Sequence, residues 1–175
     1  SLGGSATALR ADVSVKSEAE RVVEETVKRY GRLDVLYSAA GGGFEPDRTF
    51  TGVDEAFWNS TVSNTLNSLY NLAQAVRPVM KEQGGGAIVT VAASFSVRQE
   101  GNPAYGAAKG GIINLTRVLA TSLSRYGIIA TCIVPGFVTT REPEGVPTRA
   151  PRAPFIPTGR TGQPPEIGPL AVYLA

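Results

Sequence analysis

Histidine is absent from the 175 residues, and that gap removes every proton-transfer or nucleophilic centre built on an imidazole. It also takes away zinc's usual nitrogen ligand, so no metal site is expected. One cysteine, Cys132, cannot close an internal disulfide; in the apolar run IIATCIVP it reads as a buried core residue. Charged residues make up only 18% of the chain, and the net charge of +2 comes without a basic cluster interleaved with aromatics. Nucleic acid is therefore not an expected partner. No stretch approaches the roughly 18 consecutive apolar residues of a membrane span, and no basic-then-apolar leader opens the chain. The expectation is a soluble, cytoplasmic protein with no membrane partner.

What is present points to one folded domain, since 42% hydrophobic residues suffice for a core of ordinary size. Residues 8–13 (ALRADV) read as a strand. Ser17-Glu-Ala-Glu20 has capping-box spacing, and Ala19, Val22, Val23, Thr26, Val27 and Tyr30 follow at helical spacing until Gly31 closes the helix. Residues 33–39 (LDVLYSA) form a second strand. It ends in Ala40-Gly41-Gly42-Gly43, where the backbone must turn sharply or approach a ligand closely. A long helix is expected from Asp54 to about Lys81, with Pro78 bending or fraying its last turn. Residues 87–93 (AIVTVAA) are a third strand and 94–103 a loop. A helix carrying Tyr105 and Lys109 then runs to Gly127, and residues 128–134 are a fourth strand stopped by Pro135-Gly136.

Strands apolar on both faces, alternating with helices, predict a doubly wound parallel sheet in a three-layer α/β/α, Rossmann-like fold. Ligands of such sheets bind beyond the carboxyl ends of the strands. The informative residues gather there: 40–43, Ser94, and 135–140. From Arg141 to Pro165 the composition shifts to seven prolines and four arginines without periodicity. A linker and a lid over the site (141–163) are both open readings. So are two fates for Arg141, Arg149, Arg152 and Arg160, solvated or meeting an anionic substrate.

Tyr105 and Lys109 stand four residues apart in GNPAYGAAKGGIINL, one turn apart on one helical face. A cation near a phenol favours the phenolate and lowers the tyrosine pKa from about 10 toward neutrality. Such a group exchanges a proton with an alcohol or carbonyl oxygen. The same spacing also describes a surface helix with a half-exposed tyrosine, and spacing alone does not separate the two.

Taken in order, DVS, GRLDVLYSAAGG, SNTLNSLY, AASFS, YGAAKG, CIVPGFVTT and GRTGQPPEIG resemble the short-chain dehydrogenase/reductase family across roughly residues 8–175. The resemblance implies an oxidoreductase using NAD or NADP to interconvert a secondary alcohol and a ketone by hydride transfer. It implies that residues 1–175 form a single, partial dinucleotide-binding domain. A homotetramer or homodimer built on the long helix and the Tyr105 helix is expected. Tyr105 would be the catalytic acid/base, and Lys109 the lysine that tunes it and holds the nicotinamide ribose. Asn64 would anchor a water-linked proton relay, with Asn59 and Asn67 as competing assignments. Asp12, Val13, Ala40 and Gly41 would face the adenosine half of the cofactor. Pro135, Gly136, Val138 and Thr140 would cradle the nicotinamide carboxamide and phosphates.

The chain departs from the family's pattern at several points. Ser38 and Ala39 replace paired asparagines. The substrate-orienting serine, usually 13 residues before the tyrosine, falls on Ala92, and strand alignment suggests Ala93. Ser94, 11 residues before Tyr105, is the candidate that remains, ahead of Ser96. The glycine-rich phosphate turn, the first strands, the residue that chooses between NAD and NADP, and the last strand are not in the sequence. The chain is accordingly expected to be cut at both ends. The Ala92-Ala93 pair and Ser38-Ala39 motivate a competing reading, a family member without catalysis that serves as a binding or scaffolding subunit.

Overall fold

A computed structural model describes residues 4–45, 49–139 and 156–175. Three strands, β1 (Val35–Ser38), β2 (Gly86–Val91) and β3 (Ile128–Ile133), form one parallel sheet in the order β1-β2-β3. Leu36 pairs with Ile88, and Ile88 with Ala130. Parallel neighbours need crossovers, and helices supply them. α1 (Lys16–Tyr30) precedes β1. α2 (Glu55–Val62), a π-helical turn (Ser63–Asn67) and α3 (Ser68–Glu82) join β1 to β2. α4 (Phe95–Glu100) and α5 (Pro103–Leu123) join β2 to β3, and α6 (Pro164–Tyr173) follows. This is a Rossmann-like α/β fold with a parallel sheet.

The core explains why the helices sit where they do. Val23 of α1, Val76 and Met80 of α3, and Leu123 of α5 close on Ile88 and Ile128, with Leu36 and Ala130 packed alongside. Burying each such side chain contributes about 1.5–3 kcal/mol. On the other face of the sheet Val35, Tyr37 and Ile129 are exposed. A buried polar contact adds orientation to the packing. Thr90 of β2 and Thr116 of α5 share a 2.8 Å hydrogen bond between their hydroxyls, and each also reaches a backbone carbonyl. Because Thr116 lies two turns beyond Lys109, this contact sets the rotation of α5 that aims Lys109 at the sheet.

Several expectations need correction. Residues 8–13 are not a strand. A strand needs a hydrogen-bonded neighbour, whereas here side chains take the carbonyls: Arg21 bonds Arg10 O, and Asn71 Nδ2 bonds the carbonyls of Val13 and Ser14. α1 begins one residue before Ser17 with Val15 as its cap, so Ser17 caps nothing. The turn at Asp12, whose carboxylate accepts from Ser14 N and Oγ, feeds the chain into the helix directly. α3 runs through Pro78 to Glu82, one residue past the expected end near Lys81. Pro78 and Gln74 are both exposed, so the hydrogen bond the ring forfeits falls on the solvent side. The expected loop at 94–103 contains α4, started by the Ser94 cap. Cys132 is half-buried, packed against Leu69, Ala92 and Ile112.

Gly31 and Gly127 both adopt positive φ, 77° and 72°. A Cβ on Gly31 would meet nothing within 4 Å, whereas on Gly127 it would lie 2.5 Å from Gly84 O. Gly31→Ala is therefore expected to cost only the left-handed backbone penalty of about 1–2 kcal/mol. Gly127→Ala should cost clearly more, because a backbone atom stands in the way. Urea unfolding of the two variants gives the order, and equal losses would contradict the close approach.

Candidate active site

Asn102 joins the glycine turn to the start of α5. It is 1% exposed, its Oδ1 accepts from Tyr105 N at 3.0 Å, and its Nδ2 donates to Gly43 O in a short hydrogen bond. Pro103 follows in the first turn, where a missing N–H costs nothing. This cap sets the height at which Tyr105 leaves the helix. The ring meets Phe44 edge-on, with centroids 5.1 Å apart at 74°. Gly43 must lack a side chain, since a Cβ there would run into Thr61.

Lys109, one turn further on, is 6% exposed and donates from Nζ to Val91 O at 2.9 Å. The Nζ lies 5.9 Å from the centroid of the Tyr105 ring. Burial raises the Tyr105 pKa above the ordinary tyrosine value. Burial also lowers that of Lys109, with the charge of Cys132 acting in the opposite sense. The expected pull of Tyr105 toward neutrality is thus not what this structure shows. The ammonium is turned to the Val91 carbonyl, and desolvation of the phenol dominates. At neutral pH Tyr105 is a phenol and a proton donor.

Both side chains open onto a cleft of about 680 Å³ beyond the carboxyl ends of β2 and β3. Phe44, Val97, Phe137 and Ile167 supply apolar walls, while Val91, Ala92 and Ala93 form the wall at the end of β2. Pro135, Gly136 and Val138 line the same cleft, so the structure brings these three together with Tyr105 and Lys109. The turn they form is braced by the chain's return. Val138 bridges Gly162, Gly162 N donates to Phe137 O at 2.8 Å, and Thr139 and Thr161 share a 2.7 Å bond. α6 starts directly after, with Glu166 accepting from Gln163 N and paired with Arg160. The guanidinium, helped by that N–H, holds the Glu166 carboxyl at about 2. Thr140 and residues 141–155 of the expected lid lie outside the described residues.

The other residues expected from the sequence are placed differently. Ser94 caps α4, accepting from Val97 N at 3.4 Å and sharing a 3.2 Å bond with Ser96. Ala92 and Ala93, without hydroxyls, stand on the cleft wall instead. Asp12 and Val13 lie outside the cleft lining, before α1. Hydrogen bonds from Ser14 hold the Asp12 carboxyl below the usual carboxylate range. Ala40 and Gly41 are exposed in the glycine turn. Asn64 is exposed, and its carbonyl accepts from Ser68 Oγ at 2.8 Å. Thr65, which the sequence reading missed, is the residue that turns inward: it is 1% exposed and bonds Gly42. Thr61 and Thr65 stand four apart in the sequence, and the structure buries both.

A nicotinamide nucleotide fits this donor set at its nicotinamide end. An ammonium has three N–H donors, of which one meets Val91 O. Gly136 leaves open space where a side chain would stand, as nothing lies within 4 Å of its Cβ position. Among the described residues no group of three or more His, Cys, Asp or Glu is placed to hold a metal ion. Among them, too, no helix is long and apolar enough to cross a membrane.

The family model described as enoyl-(acyl carrier protein) reductase matches residues 1–175. The 3-oxoacyl-[acyl-carrier-protein] reductase FabG of Thermotoga maritima is 32% identical over 169 residues, covering 94% of this chain and 67% of the relative. Levodione reductase of Leifsonia aquatica is 34% identical over 179 residues, covering 94% of this chain and 65% of its own. A crystal structure from Sinorhizobium meliloti 1021, assigned to the short-chain alcohol dehydrogenases, superposes with a TM-score of 0.86 at 31% identity. The superposition covers 99% of this chain and 70% of that one. The chain thus spans about two thirds of the length of the curated relatives it matches. With the whole chain matched by one family model and its fold shared with solved members, it belongs to the short-chain dehydrogenase/reductase family.

Proposed function

We propose that the protein is an NAD(P)-dependent oxidoreductase that interconverts a secondary alcohol and a ketone. The observation that carries this reading is the convergence of the Tyr105 phenol, the Lys109 ammonium and the 135–138 turn on one cleft. The bound nicotinamide supplies the hydride acceptor or donor. Lys109 holds the ribose with the N–H groups not used by Val91 O, and Pro135, Gly136 and Val138 face the carboxamide. Asp12, Val13, Ala40 and Gly41 are the proposed contacts of the adenosine half, with Thr140 completing the nicotinamide side. Tyr105, protonated at neutral pH, gives its proton to the carbonyl oxygen in the reductive direction. In the oxidative direction it must ionise first.

The walls favour a substrate rich in hydrocarbon, since Phe44, Val97, Phe137 and Ile167 offer no hydrogen bonds. Relatives named for a 3-oxoacyl carrier substrate, levodione and cyclohexanol agree with a carbonyl or alcohol substrate of some kind. Ser94 serves the substrate oxygen only by leaving its cap on α4. While it caps, no serine hydroxyl stands beside Tyr105 on the cleft wall, and the rate is expected to run roughly 10²–10³-fold below that of a site with one. Exposed Trp58, Tyr70 and Val118 on α2, α3 and α5 support self-association into a homodimer or homotetramer. The hydroxyl-free wall of Ala92 and Ala93 also favours a second reading, a non-catalytic binding or scaffolding subunit. Binding of NADH or NADPH without turnover of any ketone would select it.

Tyr105→Phe is expected to lower ketone reduction by about 10²–10⁴-fold while cofactor binding, followed by fluorescence, stays nearly unchanged. Unchanged turnover would remove Tyr105 from the reaction. The raised Tyr105 pKa gives a second expectation with a definite sign. Absorbance near 295 nm, taken as wild type minus Tyr105→Phe, should show the Tyr105 phenolate only above about pH 10 in the ligand-free protein. Reduction should accordingly hold through neutral pH and fall in strong base. A phenolate signal near pH 7 would contradict the burial argument.

A further inference from the structure

Nearly all the side chains that line the cleft are apolar. Three of its lining residues carry a polar side chain: Tyr105, Lys109 and Tyr37. The first two belong to α5 and to the proposed reaction, whereas Tyr37 stands on β1. Its side chain is 44% exposed, and its hydroxyl has no hydrogen-bond partner among the described residues. In a mostly apolar pocket the few polar groups fix how a ligand lies, so a phenol with an open donor there calls for an acceptor.

Strand register fixes the side from which Tyr37 enters. Ser38 pairs with Thr90, whose hydroxyl bonds Thr116 of α5, so Ser38 and Thr90 point toward that helix. Successive side chains alternate across a strand, and Tyr37 therefore leaves the opposite face. Ser38 is 7% exposed on the α5 side and Ala39 has no polar group, which leaves Tyr37 as the side-chain donor that β1 brings to the cleft. α6 adds Ile167, Gly168 and Ala171 to the lining, and none of these side chains forms a hydrogen bond. The cleft thus passes over the strand ends, with Tyr105 and Lys109 on the α5 face and Tyr37 on the other.

We infer that Tyr37 is a cofactor-binding residue: its hydroxyl donates to an oxygen of the ribose–phosphate chain of the nicotinamide nucleotide. The inference rests on the proposed NAD(P)-dependent reading of this cleft. A carbonyl that takes the Tyr105 proton lies on the α5 side, where Phe44 stands edge-on to the phenol. A hydrocarbon-rich ketone gains nothing from a second polar group across the strand ends. A nicotinamide nucleotide is different, because hydroxyl and phosphate oxygens run along its length. Tyr37 pairs with Val89, two residues before the Val91 carbonyl that holds Lys109. Phenol and ammonium accordingly stand on and above neighbouring strands near one end of the sheet, on either side of the path a ribose held by Lys109 must take.

The full chain, as wild type and as Tyr37→Phe, is titrated with NADH and with NADPH, and binding is followed by cofactor fluorescence. The variant loses one oxygen from an exposed side chain, so its unfolding midpoint without cofactor should match the wild type. Its dissociation constant should rise about three- to tenfold, as for loss of one hydrogen bond. The gain in unfolding midpoint at a fixed cofactor concentration should shrink accordingly. Ketone reduction at saturating cofactor should keep both its kcat and its KM for the ketone. An unchanged dissociation constant overturns the inference. So does a raised ketone KM with cofactor affinity intact, which would give the phenol to the substrate. A wild-type protein that binds neither nucleotide defeats the proposed function and this inference with it. Binding without turnover of any ketone defeats the catalytic reading alone, and the two dissociation constants would still decide the role of Tyr37.

Discussion

Lys109 carries a positive charge into a place that is 6% exposed, and the partner that receives it is a backbone carbonyl, Val91 O at 2.9 Å. An ammonium removed from water costs several kcal/mol unless its donors are met. Val91 ends β2, the central strand, so the hydrogen bond requires α5 to cross the sheet at that height and with that rotation. Thr116, two turns along, holds the same rotation through Thr90, and Asn102 fixes the helix start. Once these three anchors are set, Tyr105 has one place to go. The cleft, the glycine turn and the Phe44 contact are consequences of that placement.

The chemistry follows from which partner Lys109 has. A carboxylate would have neutralised the ammonium and occupied its donors. A single carbonyl leaves a net charge and free N–H groups facing the cleft, suited to a ligand rich in hydroxyl oxygens. The phenol, 5.9 Å from Nζ by its ring centroid, feels burial more than the charge and keeps its proton. Family membership and the local geometry both support the proposed acid/base role of Tyr105. They part at the wall of the cleft, where Ala92 and Ala93 stand while the Ser94 hydroxyl caps α4.

Apolar runs were enough to locate β1, β2 and β3, because each strand lies in a short, mostly apolar run between turns. Gly31 as a helix stop was equally legible, since it is local chemistry, and the expected helix start at Asp54 is its cap, accepting from Phe57 N at 2.7 Å. Residues 8–13 were not, because a strand exists only beside a neighbour and no sequence pattern reports whether one is there. Asn64, expected from the family resemblance, is exposed, and the buried side chain beside it is Thr65, in a π turn that helical periodicity does not report. Ser94, expected as a site hydroxyl, has local partners in this structure, Ser96 Oγ at 3.2 Å and Val97 N at 3.4 Å, and the second of these starts α4. Non-local neighbours and helix phase were what the sequence withheld; the Tyr105–Lys109 pair needed neither.

The central claim is that hydride and proton transfer meet at the Tyr105–Lys109 cleft. Its most direct measurement is a single-turnover reaction of the full chain with reduced nicotinamide cofactor deuterated at C4 and an apolar ketone, followed by mass spectrometry of the product. The account predicts deuterium at the carbinol carbon with wild-type protein and transfer about 10²–10⁴-fold slower with Tyr105→Phe. Cofactor that binds without transferring deuterium to any apolar ketone, or transfer at the wild-type rate in Tyr105→Phe, would contradict it.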